Sequence, residues 1–285
     1  MLKRFSSLVV LSHTIFAMPF AMIGYTIGLI AGGAEFSWMT LLKVVLCMVF
    51  ARNTAMGFNR WADRDIDAKN PRTANRDIPA GAISPRAALI FVIANALLFV
   101  ITSALINSLA GMLSPIALFV IMGYSYCKRF TWAAHLVLGL SLAIAPMGAY
   151  VAATGEMSSL VAILSGIVLT WCGGFDIIYA LQDSAFDREN GLHSIPSRFS
   201  PVTALIISAG LHLISAALLV LFAERLPYHP AIYAGVGIFI AILILEHLLV
   251  SPTRQRNIGI AFGTLNGIAS VVFATLVIWG LIASS

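Results

Sequence analysis

SLVAILSGIVLTWCGGFDIIYALQDSAFDREN, residues 159–190, opens as an apolar run and closes on Asp176, Asp183 and Asp187. The run is long enough to cross the hydrocarbon core of a bilayer as a helix, which takes about 20 residues. Working outward, comparable runs recur near 8–31, 38–60, 86–106, 109–126, 132–153, 201–223, 230–250 and 258–282. With 159–182 they predict an all-α membrane protein of about nine transmembrane helices, because a lipid-embedded backbone must satisfy its own polar groups and helices do so within one segment. The composition agrees: 60% of the 285 residues are hydrophobic and 10% charged, against about a quarter charged in soluble domains. Residues 1–285 read as one domain with no room for a sizeable soluble part, so function has to come from loops and helix ends.

The net charge of +5 does not indicate nucleic acid, since the basic residues occupy short connections between apolar runs, where they set membrane orientation. Cys47, Cys127 and Cys172 stand singly in apolar segments and offer neither a disulfide framework nor a metal-ligand pair. Lys3 and Arg4 precede an apolar stretch from about Leu8 to Ile30. That stretch exceeds the roughly 7–15 residues of a cleaved signal core and reads as the first membrane helix.

Charge position predicts topology. Of the 17 Lys and Arg residues, the N-terminus and alternate loops hold Lys3, Arg4, Arg60, Arg64, Lys69, Arg72, Arg76, Arg86, Lys128, Arg129, Arg188, Arg198, Arg254 and Arg256. The opposite loops hold Arg225, while Lys43 and Arg52 fall inside the second span. This asymmetry places the N-terminus and the basic loops in the cytoplasm and the C-terminus outside, in what we expect is a bacterial inner membrane. It also supports splitting the apolar stretch around Asn107–Met112 into two spans. Both of the longest loops, broken by Pro71, Pro79, Gly81 and Pro85 and by Gly191 and Pro196, follow helices that end in acidic clusters. The regularity suggests a parallel repeat of two four-helix units, about 8–126 and 132–250, with a ninth helix added.

The first cluster, Asn59, Asp63 and Asp67, has a spacing of four that sets three oxygen-bearing side chains on one helical stripe. Such a stripe suits a hard cation such as Mg²⁺, which takes one or two carboxylates and completes its shell with substrate phosphates; the plain alternative is a solvated helix end beside Arg60 and Arg64. The second cluster repeats the spacing in Asp183 and Asp187, and Asp176, two turns before Asp183, points to the same face from deeper in the membrane, where an ionisable group is costly. Arg52 stands seven residues before Asn59 on its stripe and needs an anion, either Asp176 or a substrate phosphate, unless it merely packs against a helix carboxylate. Lys128, Arg129, Arg72, Arg76 and Arg198 add positive charge on the same side. Carboxylates facing cations fit a diphosphate bound through metal ions, which stabilise charge developing on a diphosphate leaving group.

The runs Gly57-Phe58-Asn59-Arg60 through Pro79-Ala80-Gly81, Lys128-Arg129-Phe130-Thr131, and Asp176 through Tyr179, Gln182 and Asp183 to Gly191-Leu192-His193-Ser194-Ile195-Pro196 resemble the UbiA family of membrane-embedded aromatic prenyltransferases. The likeness spans nearly the whole chain, and both aspartate motifs match in order, spacing and side. It implies nine helices around a central cavity open to the cytoplasmic side, with Mg²⁺-dependent ionisation of a polyprenyl diphosphate and substitution on an aromatic ring. By motif, Asn59, Asp63, Asp67, Asp183 and Asp187 would hold the Mg²⁺-diphosphate, Arg72 and Lys128 would contact phosphate, and Asp176 and Tyr179 would line the chamber. Arg129, a planar fork, is a candidate for an acceptor carboxylate. Asn70-Pro71-Arg72-Thr73 and Ser194-Ile195-Pro196-x-Arg198-Phe199 are most like the 4-hydroxybenzoate branch, which implies that acceptor and a place in quinone biosynthesis; a carboxylated hydroxynaphthoate on a menaquinone route is the alternative.

Other features read as structural. The six histidines have no metal-ligand spacing, Glu246-His247 reads as an interfacial pair, and Gly24, Gly28 and Gly32 read as a helix-packing ridge. Some of the ten methionines and seventeen phenylalanines would line a groove for a lipid tail. A secondary transporter is the reading from another class, but an Arg-rich loop after an Asn-Asp-Asp stripe suits a diphosphate better than a cation path. Membrane lipid is the expected surrounding, and no obligate protein partner is evident.

Overall fold

The computed structural model describes residues 14–251 and 258–285. The start of the first expected span and Lys3, Arg4, Arg254 and Arg256 lie outside the described residues. The rest is helical, in the order α1 (Thr14–Ile30), α2 (Trp38–Ala62), α3 (Arg64–Asp67), α4 (Pro85–Ala104), α5 (Ser108–Cys127), α6 (Ala134–Thr154), α7 (Ser159–Ala180), α8 (Ser184–Glu189), α9 (Ile195–Arg198), α10 (Pro201–Glu224), α11 (Pro230–Leu249) and α12 (Asn266–Ala283). Among the described residues, eight helices are long and apolar enough to span a membrane, and Phe16–Ile30 is a shorter apolar one. Each of the nine expected spans therefore overlaps one of these long or shorter apolar helices.

Helix starts follow local chemistry. Ser37, Ser84, Ser158 and Ser200 each accept a hydrogen bond from the backbone N–H three residues on, satisfying a donor that the helix leaves open. Pro85, Pro201 and Pro230 sit in the first turn, where a missing N–H costs nothing. The split between the third and fourth expected spans is present: α4 ends at Ala104, and Asn107 Oδ1 accepts from Ala110 N at 2.8 Å as α5 begins. Before α12 the helix widens into a π segment, Ile260–Leu265.

The chain forms two compact units. One is Ser37–Tyr126, containing α2 to α5; the other joins Ile15–Phe36 to Cys127–Ser285. In the first unit, Asn53 Nδ2 donates to Asn95 Oδ1 at 2.9 Å and Lys43 Nζ to the Leu105 carbonyl at 2.7 Å, tying α2 to α4. Ile78 and Ile83, from the long loop, pack with Ala88 and Trp61 and so hold that loop against the ends of α2 and α4.

The second unit is built on aromatic packing and close backbone approach. Trp171, fully buried, meets Phe20, Phe239 and Phe175 with ring centroids 5.2 to 5.3 Å apart; truncating such a residue typically costs about 3–5 kcal/mol. Its indole N–H donates to Asn266 Oδ1 at 2.6 Å. Gly24, Gly28 and Gly32 lie against Pro146, Ala153 and Thr154, and a Cβ at Gly24 would collide with the Pro146 carbonyl oxygen. Gly139 leaves room in the same way for the Leu169 carbonyl, drawing α6 against α7. The outward faces carry Ile90, Leu97, Phe119, Leu213 and Leu248, as expected of helices apolar on all sides and solvated by lipid.

Candidate active site

The first cluster forms where α2 stops. Asp63 is its C-cap, with its N–H bonded to the Asn59 carbonyl, and Asn59 Nδ2 donates to Asp63 Oδ2 at 3.0 Å. One turn on, Asp67 is buried at the end of α3, and Arg76 Nη1 straddles its two oxygens at 2.7 and 2.8 Å. Thr73 Oγ1 donates to the Asp67 carbonyl at 3.1 Å, and Arg72 N donates to Asn70 Oδ1 at 2.9 Å, which explains locally why the Asn-Pro-Arg-Thr run folds back on the helix end. Two turns deeper in α2, Arg52 is partly buried with Nε and Nη2 making no hydrogen bond among the described residues, and Arg60 Nη1 is likewise unmet. A buried guanidinium with open donors has a strong preference for an anion.

The second cluster forms where α7 gives way through a 3₁₀ turn, Leu181–Asp183, to α8. Asp183 and Asp187 are both buried. Ser194 Oγ donates to Asp187 Oδ2 at 2.9 Å, and Lys128 Nζ stands 3.7 Å from the same oxygen. Gly191, at φ +66°, turns the chain so that His193 N donates to the Lys128 carbonyl, closing the loop onto the segment that leads into α6. Asp176, the deeper aspartate, is 2.7 Å from His135 Nδ1 and keeps some exposure, 18% of its side chain. The Tyr179 ring lies on Phe262, with centroids 4.2 Å apart.

The structure thus joins Asn59 to Asp63, Asp67 to Arg76, and Asp187 to Lys128, and leaves Arg72, Arg129 and Arg198 exposed. His135 contacts Asp176 and Ser194 contacts Asp187; the sequence analysis set the histidine aside as structural and took Ser194 only as part of a motif. The available signals were a histidine one turn before Gly139 in an apolar helix and a Ser-x-x-Ser capping pattern just after an aspartate motif, both weak when met alone.

The donor set, carboxylate and amide oxygens, suits a hard divalent cation. Among the described residues no three His, Cys, Asp or Glu side chains gather into a ready cage. Mg²⁺ is usually held by one or two carboxylates with the remainder of its shell from water and substrate phosphates.

A protein-family model described as the UbiA prenyltransferase family matches residues 17–272. A 4-hydroxybenzoate octaprenyltransferase of Aliivibrio fischeri (strain MJ11) is 30% identical over 242 residues, covering 84% of this chain and 83% of that protein. The fold is similar to the apo structure of a UbiA homolog from Aeropyrum pernix K1, with a TM-score of 0.80 at 30% identity, over 95% of this chain and 97% of that one. It is also similar, at TM-score 0.72 and 20% identity over 94% of this chain and 99% of that one, to a UbiA homolog from Archaeoglobus fulgidus bound to GPP and Mg²⁺. The nine-helix pattern, the paired aspartate motifs and this extent of similarity lead to one conclusion: the chain belongs to the UbiA family and is a membrane prenyltransferase.

Proposed function

We propose that this enzyme transfers a polyprenyl chain from its diphosphate to 4-hydroxybenzoate, in a Mg²⁺-dependent step of respiratory quinone biosynthesis. The observation that carries the reading is that each cluster pairs a buried carboxylate with a basic side chain, Asp67 with Arg76 and Asp187 with Lys128. A metal-bound diphosphate satisfies both halves of such a pair, the cation at the carboxylate and phosphate oxygen at the base. Asn59, Asp63, Asp67, Asp183 and Asp187 would hold Mg²⁺, which supplies charge stabilisation to the departing diphosphate. Arg72, Arg76, Lys128 and Arg198 bind phosphate oxygens, while Asp176 and Tyr179 border the reacting carbon and ring. Arg129, whose planar fork suits a carboxylate, or Arg52, which has open donors, would receive an acceptor carboxylate. The relative's name supports the acceptor, and the neighbour bound to GPP and Mg²⁺ supports the donor and the metal.

Purified protein in nanodiscs, given Mg²⁺ and a long-chain prenyl diphosphate, should turn over 4-hydroxybenzoate. Asp63→Asn and Asp183→Asn should each lose at least about 100-fold in rate, as expected when one preorganised electrostatic contact worth roughly 3 kcal/mol is removed, and EDTA should stop turnover reversibly. Persistence of near-parental rates in both variants under excess EDTA would end this reading, and turnover of a carboxylated hydroxynaphthoate alone would reassign the acceptor. The basic loops are proposed to face the cytoplasm. A reporter fused after Ser285 should then appear outside and one inserted near Thr73 inside; both on one side would refute the orientation.

A further inference from the structure

We propose that His135 is a positioning residue that braces the second cluster from both ring nitrogens, Nδ1 holding Asp176 and Nε2 anchoring the segment that holds Asp187. The proposal rests on the reading of these two aspartates as parts of the prenyl-transfer site.

His135 lies in the first turn of α6 and is fully buried. The backbone N–H of Ile195 points at its Nε2, 3.2 Å away. A backbone N–H can only donate, so Nε2 carries no proton and the neutral ring bears its hydrogen on Nδ1. Nδ1–H therefore donates to Asp176 Oδ2 at 2.7 Å. The other tautomer would set an N–H against an N–H and a bare nitrogen against a carboxylate, and a flipped ring would bring carbons to both partners, so orientation and tautomer are fixed together. Gly139, one turn further along α6, makes the approach possible by admitting the Leu169 carbonyl of α7. Asp176 is left with Oδ2 committed and Oδ1 free to serve the site.

The other end of the brace reaches Asp187. Ile195 follows Ser194, which is fully buried, donates its hydroxyl to Asp187 Oδ2 at 2.9 Å and accepts from Ser197 N at 3.2 Å. Ser197 Oγ returns the contact by accepting from Ser194 N at 2.9 Å, so the segment is a closed capping box. Asp176 and Asp187 lie on either side of the 3₁₀ turn, where the helix backbone alone does not fix one relative to the other. A continuous path from Asp176 through His135, Ile195 and Ser194 to Asp187 supplies that link within one unit of the chain.

The two ends can be separated by substitution, because an asparagine amide nitrogen falls near the position of Nδ1 and a glutamine amide oxygen can fall near that of Nε2. Full-length His135→Ala, His135→Asn and His135→Gln are compared with the parent in detergent for kcat, for KM of the prenyl diphosphate and of Mg²⁺, and for the rise in thermal unfolding temperature that geranyl diphosphate with Mg²⁺ produces. The alanine variant should lose at least about 10-fold in kcat and raise both KM values. Asparagine, keeping the donor to Asp176, should recover most of kcat but retain the raised KM values and a weakened thermal shift; glutamine, keeping the acceptor for Ile195, should show the reverse. Should alanine fail to fold, the asparagine and glutamine pair decides alone. Asp176→Asn and Asp187→Asn run alongside. If neither of these alters activity or the thermal shift, the prenyl-transfer reading of the cluster fails and takes this proposal with it. If they do alter them while the His135 variants match the parent, or while asparagine and glutamine give the same pattern, only the positioning role is overturned.

Discussion

The two aspartate clusters repeat one spacing but are supported in different ways. Around Asp63 and Asp67 the contacts are local: Asn59 reaches four residues along its own helix end, and Arg76 reaches back nine. Around Asp176 and Asp187 distant segments take part: Ser194 lies only seven residues from Asp187, but its segment is held through Ile195 N on His135, 60 residues back, and His135 itself stands 41 residues from Asp176. Local support survives small displacements of the helices, since donor and acceptor move together. Support from distant segments exists only while α6, α7 and the Ser194 segment are packed. The first cluster is the adaptable half and the second the rigid half, a division that the shared spacing conceals.

The largest effect that would test this division is at Arg52. A guanidinium buried with open donors destabilises the folded protein unless an anion reaches it, whereas a methionine of similar length packs without that penalty. Arg52→Met should lower kcat/KM by at least about 100-fold while leaving the thermal unfolding temperature equal or higher. A fall of several degrees would mean that Arg52 is a structural member of the first unit, and the adaptable half would be rigid after all. A smaller effect compares the halves directly. Ser194→Ala removes a hydroxyl bonded to a buried carboxylate, where a hydrogen bond to a charged group is worth about 1.5–3 kcal/mol. It should raise the Mg²⁺ requirement several-fold and lower stability measurably by thermal unfolding. Asn59→Ala, which removes a local contact at a half-exposed site, should shift the Mg²⁺ requirement similarly with less change in stability. Equal losses of stability in the two variants would erase the distinction.

The same contrast separates what the sequence makes legible from what only the folded chain brings together. Span lengths follow from bilayer thickness, so the long apolar helices were legible one by one; the capping at Ser37, Ser84, Ser158 and Ser200 that sets where they start was not read from the sequence. Asn59 and Asp63 were legible as neighbours because a spacing of four along a helix sets them together, whereas Asp67 lies past the end of α2 and pairs with Arg76. His135 was not, because its partners lie in two other segments and no periodicity connects them. Its role becomes visible only once Gly139 has let the Leu169 carbonyl in, and a glycine in an apolar run does not say which neighbour it admits. Arg76 was legible as a cation of the site, but its place on Asp67 depends on the turn through Asn70 and Thr73.

The glycine ridge of α1 bears on how the protein is made. Gly24, Gly28 and Gly32 fit against α6, so the first described helix leaves the ribosome long before its partner exists. Chains are synthesised from the N-terminus at about 5–20 residues per second, and throughout the making of α2 to α5 the α6 residues that the ridge fits do not yet exist. The compact units are consequently not consecutive in translation: residues 15–36 wait for a body whose remainder starts at Cys127. A gene divided after Tyr126 would strand α1 on the wrong polypeptide, whereas two polypeptides divided between Phe36 and Ser37 would each keep a whole set of partners only if the first helix could still find α6 in the plane of the membrane.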